Sequence, residues 1–168
     1  MKTQDINTIY NKLIRAAYFS TKMKNWESAL EQSEIAAHIM YKYSFFFCDA
    51  QADHMLRTIG REVIRKASPK RTEKAVLFYD SFGQDRRGLA QIYMRALCKA
   101  GYRIIYLVCN KNAKCYQKTA GIVQDSGGCV VPVLMDNRVQ RMRRIEELVT
   151  LYAPDCIVME VHPWETAV

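Results

Sequence analysis

Between Asp80 and Gly88 the chain reads Asp-Ser-Phe-Gly-Gln-Asp-Arg-Arg-Gly. Arg86 and Arg87 carry donors suited to a phosphate or carboxylate, Gly83 and Gly88 allow a close backbone approach, and Asp80 and Ser81 stand at the entry of the turn. If a helix begins after Gly88, its free N–H groups add positive potential, and the turn suits an anion or a sugar diphosphate. The spacing matches neither specific phosphate motif: Gly-x-x-x-x-Gly is not followed by Lys-Ser/Thr, and there is no Gly-x-Gly-x-x-Gly. It serves equally well for a turn in which glycines shape the backbone and Asp or Ser caps it. A second chemical candidate is His162, in Val-His-Pro-Trp-Glu. An imidazole at a strand end can act as acid, base or phosphate donor near neutral pH, although a lone histidine more often has a structural task.

The elements that must hold these residues follow from periodicity. Four short apolar runs, AVLFYD, YRIIYLV, CVVPVL and CIVMEV, show little alternation, as strands buried on both faces do. Between the first two, Leu89, Ile92, Tyr93, Ala96, Leu97 and Ala100 step as one helical stripe closed by Gly101. A helix ending at Gly127 and Gly128 separates the second and third runs, and another begins beyond Asp136 and ends before Pro154. Strict alternation of strand and helix predicts parallel strands joined by right-handed crossovers, a Rossmann-like α/β sheet with helices on both faces. In such a sheet Asp80–Gly88 and His162 both fall at carboxyl ends of strands, where ligands gather.

The front of the chain has a different pattern. Three amphipathic helices are predicted up to about Lys66, the second capped by Asn25 and carrying Trp26, Ala29, Leu30, Ser33, Ala37, Met40 and Tyr41 on one stripe. Its rhythm is that of one helix of a tetratricopeptide pair, but no second copy follows at a period of about 34 residues. We therefore expect a helical segment over 1–68, a linker over 69–74 and the α/β domain over 75–168. Tyr41, Tyr43, Phe45, Phe46 and Phe47 form an aromatic patch suited to a core, a domain interface or a partner surface.

With 168 residues, 49% of them hydrophobic and 25% charged, the chain has the composition of an ordinary globular protein. No apolar run has the length of a membrane span and the N-terminus has no apolar signal core, so the expected location is cytoplasmic, with peripheral contact to a membrane through basic and aromatic patches. Six dispersed cysteines without a Cys-x-x-Cys pair predict buried free thiols, with no metal site and no cofactor. The net charge of +8 attracts phosphates, nucleic acid or anionic membranes without choosing among them. The basic runs at 65–71 and 138–144 read as a solvated linker and as the polar face of a helix whose Val139, Met142, Ile145 and Val149 face inward.

The stretch AVLFYDSFGQDRRGLAQIYMRALCKAGYRIIYLV, together with MEVHPWETA, resembles the opening of the N-terminal domain of bacterial GT-B glycosyltransferases of the family-1 and family-4 kind, in which a small helical segment precedes the first strand. The resemblance covers nearly the whole chain. It implies an acceptor-side domain facing a donor-binding C-terminal domain across a cleft, with a nucleotide sugar and an acceptor as ligands. Asp80, Ser81, Gly83, Arg86, Arg87 and Gly88 would then contact substrate, and His162 would be the catalytic contact. No Asp-x-Asp metal motif is present, and the donor-binding half with its paired glutamates is absent from these 168 residues. A sugar-transfer domain of this kind is expected to be inactive or weakly active alone.

Two other classes fit the same residues. A flavodoxin-like module would bind a nucleotide or flavin by itself; a receiver domain is disfavoured because its acidic cluster reduces to Asp80. The helical front could instead dock a protein, with the sheet as scaffold. Nucleic acid is the weakest choice, resting on net charge alone.

Overall fold

The computed structural model of the chain describes residues 3–44, 48–64 and 74–167. Phe45, Phe46 and Phe47, the basic run at 65–71 and all of the expected linker but Lys74 lie outside the described residues. The helices are α1 (Thr3–Lys22), α2 (Trp26–Tyr43), α3 (Ala50–Val63), α4 (Leu89–Lys99), α5 (Gln117–Asp125) and α6 (Arg138–Tyr152). The strands are β1 (Ala75–Asp80), β2 (Arg103–Val108), β3 (Cys129–Pro132) and β4 (Cys156–Glu160). They divide between two compact units, one of Met1–Arg65, Asn137–Arg143 and Pro163–Val168, the other of Lys66–Asp136 and Arg144–His162.

In the helical unit the predicted cap of α2 is observed: the Asn25 side chain accepts a hydrogen bond from Ser28 N at 3.3 Å. Asp49 caps α3 in the same way, accepting from Gln51 N at 2.8 Å and Ala52 N at 3.0 Å. Its other oxygen takes the Tyr10 hydroxyl at 2.7 Å, which ties α1 to the start of α3. Burial and the neighbouring Asp49 carboxylate push the Tyr10 phenol well above its usual range. Ala17 and Ala29 are fully buried beside Leu30, Met55, Ile59 and Val63. Their small side chains allow helix backbones to approach closely, and the longer residues fill what remains.

Residues 137–143 and 163–167 join this helical unit, which sequence periodicity did not foresee. Arg138 is not part of a solvated basic face. Its guanidinium is held by Glu34 at 2.6 Å and Glu27 at 3.1 Å, with most of its side chain buried, while Glu27 also accepts from Val139 N at 3.1 Å. Arg141 pairs with Glu165 at 2.8 Å. Much of the positive charge at 138–144 is therefore spent inside the protein. Val139, Met142 and Ile145 do turn inward, Met142 into the helical core. Trp164 stacks on His38 with ring centroids 4.5 Å apart, so it packs on α2.

The second unit has a mixed α/β fold: a four-stranded parallel sheet in the order β3-β2-β1-β4, flanked by helices on both sides. Every residue of β1 is buried, as the unbroken apolar run predicts for a central strand. Phe78, Ile104, Tyr106, Val108 and Val158 form one core with Ala90 and Met94 of α4 and Val123 of α5. The chain moves from β1 to β2 to β3 in one direction and then returns past β2 and β1 to β4. With right-handed crossovers, that return sends α6 to the face opposite α4 and α5. The direction reverses between β1 and β4, and it is at the carboxyl ends of such a pair that open α/β sheets form their ligand crevice. None of the six cysteines forms a disulfide, but none is fully buried, and Cys48 and Cys156 are exposed. Strand ends and helix termini supply polar surroundings there that apolar runs alone do not reveal. No helix among the described residues is long and apolar enough to cross a membrane.

Candidate functional site

Asp80 ends β1 and Glu160 ends β4, and the two are direct partners in the parallel register. Neighbouring strands lie about 4.8 Å apart, so two carboxyl groups meet at the mouth of the crevice on the same face of the sheet as Phe78, Tyr106 and Val158. Asp80 is only 3% exposed, and its acceptors are occupied. One oxygen takes Phe82 N at 2.8 Å and Gly83 N at 2.9 Å, closing a tight turn. The other takes the Tyr106 hydroxyl at 2.7 Å. Burial, then the Asp80 bond and charge, hold the Tyr106 phenol far above its ordinary range. Asp80 thus shapes the turn from beneath.

Ser81 fastens that turn to β4, its N–H and hydroxyl both donating to the Glu160 carbonyl, at 3.0 and 3.1 Å. Gly83 adopts φ +54° and passes directly against Val108 and Asn110 of the β2 end, and Asn110 Nδ2 donates to its carbonyl at 3.0 Å. Phe82 is the hub of the exposed side. The Arg87 guanidinium lies 3.4 Å from its ring centroid, a cation–π arrangement, and the His162 imidazole meets the ring edge-on with centroids 4.1 Å apart. Arg86 turns away, its Nε donating to Gln84 at 2.8 Å on the surface. Gly88 supplies the left-handed residue, φ +70°, that lets α4 begin.

Of the residues singled out in sequence, Asp80, Ser81, Arg87 and His162 are therefore brought together, Gly83 and Gly88 set the backbone, and Arg86 stands apart. Glu160, Phe82, Tyr106 and Asp85 were missed. Glu160 had a signal: it is the one acid inside the last apolar run, at the position matching Asp80 in the first. Its pKa is raised by burial and by the Asp80 charge, against a smaller opposing pull from Arg87.

Asp85 has a role no local pattern announces. Its carboxylate accepts from Lys118 N at 2.8 Å and from Thr119 N at 2.9 Å and Thr119 Oγ1 at 2.7 Å, while Gln91 Nε2 donates at 3.1 Å. An internal anion thus occupies the N-terminus of α5. Burial alone would raise this carboxyl, but the Lys118, Thr119 and Gln91 bonds outweigh it and lower the pKa. The Asp85→Ala protein is expected to lose about 1–2 kcal/mol in urea unfolding at pH 7. Because the folded pKa is depressed, the contribution of Asp85 is full above the unfolded value near 3.8 and disappears as pH falls through the folded one. The wild-type and Asp85→Ala unfolding curves should therefore converge below that range.

With Asp80 on the amides of 82 and 83 and Asp85 on those of 118 and 119, the backbone donors best suited to a phosphate already serve carboxylates. What remains at the crevice is an aromatic ring, an imidazole, a guanidinium and a carboxyl that resists ionisation, a set suited to hydroxyl groups and proton transfer. Among the described residues no group of three or more His, Cys, Asp or Glu side chains is arranged to hold a metal ion. A separate shallow groove between α1 and α2 is lined by Ile6, Ile9, Ile35, His38, Ile39 and Tyr43. Comparison of the chain with protein-family models, curated proteins and solved structures found no match.

Proposed function

We propose that the sheet unit is the Rossmann-like, acceptor-side domain of a GT-B glycosyltransferase, acting with a donor-binding domain to move a sugar from a nucleotide sugar to an acceptor hydroxyl. The observation that carries this reading is the convergence of Phe82, Glu160 and His162 at the reversal point of a parallel sheet, where α/β proteins bind their ligands. His162 is suited to take the proton of the attacking hydroxyl, and Arg87 to oppose negative charge that develops during transfer. The engaged amides around Asp80 and Asp85 favour this over a free-standing nucleotide or flavin module, since in a GT-B enzyme the diphosphate is held mainly by the other domain. Transfer would require no metal in this half, and the protein would work in the cytoplasm, near a membrane if the acceptor is a lipid-linked sugar.

The test is sugar transfer by this domain joined to its donor-binding partner, first sought by reading the coding sequence past codon 168. With UDP-glucose, UDP-galactose or GDP-mannose as donor, His162→Ala should lower kcat about 100-fold. Unchanged turnover in His162→Ala and Arg87→Ala would remove both residues from the mechanism.

A further inference from the structure

We infer that Glu160 is the recognition point of the crevice for a hydroxyl of a neutral sugar, and that the crevice rejects acidic or phosphorylated groups at that position. The inference rests on the sugar-transfer reading and adds the chemistry of the group bound. One Glu160 oxygen, Oε2, is shut off from solvent without a hydrogen-bond partner, although the residue as a whole keeps partial exposure. Such atoms are rare because each one sacrifices the hydration it had when unfolded. The surrounding groups leave it without a donor: Tyr106 is committed to Asp80, Ser81 to the Glu160 main-chain carbonyl, and Arg87, stacked on Phe82, makes no hydrogen bond to it. A turn of the partly exposed Glu160 carboxyl would bring this oxygen to a ligand hydroxyl, which provides the missing donor and accepts in turn when the carboxyl is protonated. A phosphate or uronate would instead bring further negative charge beside the Asp80 carboxylate, which is the register partner of Glu160. The Phe82 ring alongside offers an apolar surface for a sugar's C–H face.

A residue kept for binding at a cost to folding reveals itself when replaced. Burial and the Asp80 charge raise the folded pKa of Glu160, against Arg87, and the Tyr106 phenol lies within reach of its charge. Stability contributed by the protonated carboxyl is present below the unfolded pKa near 4.5 and declines as pH rises toward the folded value. Glu160→Gln, which stays neutral beside Asp80, should therefore melt about 2–4 °C above wild type at pH 7, with the gain vanishing below pH about 4.5.

The experiment titrates the 15N-labelled chain with methyl glucoside, methyl galactoside, methyl mannoside and methyl N-acetylglucosaminide, and with methyl glucuronide and glucose 1-phosphate. At least one neutral glycoside should shift the amides of Ser81, Phe82, Val161 and His162 to saturation. Glu160→Ala should weaken that binding at least tenfold, Glu160→Gln should weaken it less while melting higher, and the anionic sugars should bind more weakly than their neutral counterparts. Unchanged affinity in the folded Glu160→Gln and Glu160→Ala proteins, tighter binding of the anionic sugars, or no shift with any neutral glycoside would overturn the inference. Transfer is assayed separately: Glu160-dependent glycoside binding without transfer would overturn the enzymatic reading and leave this one standing.

Discussion

The Gly128→Ala protein is expected to be largely unfolded under conditions in which the wild type is native. Gly128 lies between α5 and β3, and a Cβ there would land on the Ile104 carbonyl of β2 and within 3.0 Å of Ile104 N. The obstacle is main chain in the middle of the sheet, so no rotamer change relieves it; either β3 moves away or β2 loses its register with β1. Gly83 presents a milder version. Its Cβ would meet Val108 Cγ2 at 2.5 Å and Asn110 Cβ at 2.7 Å, and φ is already +54°, a conformation that costs a residue with a side chain about 1 kcal/mol or more. We expect losses of at least about 3 kcal/mol for Gly128→Ala and about 2–3 kcal/mol for Gly83→Ala, measured by urea unfolding. Gly121, within α5, has nothing within 4 Å of a new Cβ, so Gly121→Ala should gain a few tenths of a kcal/mol to about 1 kcal/mol from helix propensity. If all three variants behave alike, the close approaches at 83 and 128 are not what holds the sheet together.

A second large effect is expected at Asp80. Its carboxylate serves three donors, Phe82 N, Gly83 N and the Tyr106 hydroxyl, and the side chain is buried. Asp80→Ala leaves two turn amides and a buried phenol without their acceptor, a loss of about 3 kcal/mol. Asp80→Asn keeps an oxygen for the amides and should cost less than half as much. Tyr106→Phe removes the donor cleanly and should cost about 1 kcal/mol. In a double-mutant cycle, Asp80→Ala and Tyr106→Phe should be strongly non-additive, because each deletes the same hydrogen bond. Additive losses would mean that the phenol and the carboxylate are not energetically joined.

The sheet could be read from the chain because a strand buried on both faces needs a short unbroken apolar run, and AVLFYD, YRIIYLV, CVVPVL and CIVMEV are such runs. The cap at Asn25 was readable for a similar local reason: its acceptor and Ser28 N are three residues apart. What escaped was whatever depends on partners distant in sequence. Asp85 caps α5 across 33 and 34 residues, and Arg138 reaches Glu34 and Glu27 across 104 and 111. A basic run therefore looked solvated when much of its charge was already neutralised. In the site, Asp80, Ser81 and His162 were recognisable as strand-end residues. Arg86 and Arg87 looked equivalent in sequence, yet only Arg87 turns toward Phe82. Glu160 was overlooked because an acid closing an apolar run reads as the end of a strand, and its closeness to Asp80 exists only once β4 pairs with β1.

The central claim is that the carboxyl ends of β1 and β4 form the ligand site and that its ligand is a sugar rather than a nucleotide. The most direct test is an amide-shift map of the wild-type chain with a neutral methyl glycoside and, in separate titrations, with UDP and with FMN. The account predicts glycoside-dependent changes confined to Asp80–Gly83 and Glu160–His162, with UDP and FMN leaving those amides unmoved. Saturable binding of FMN or UDP by the chain alone, or glycoside shifts centred on Ile9, Ile35 and His38 of the α1–α2 groove, would contradict it.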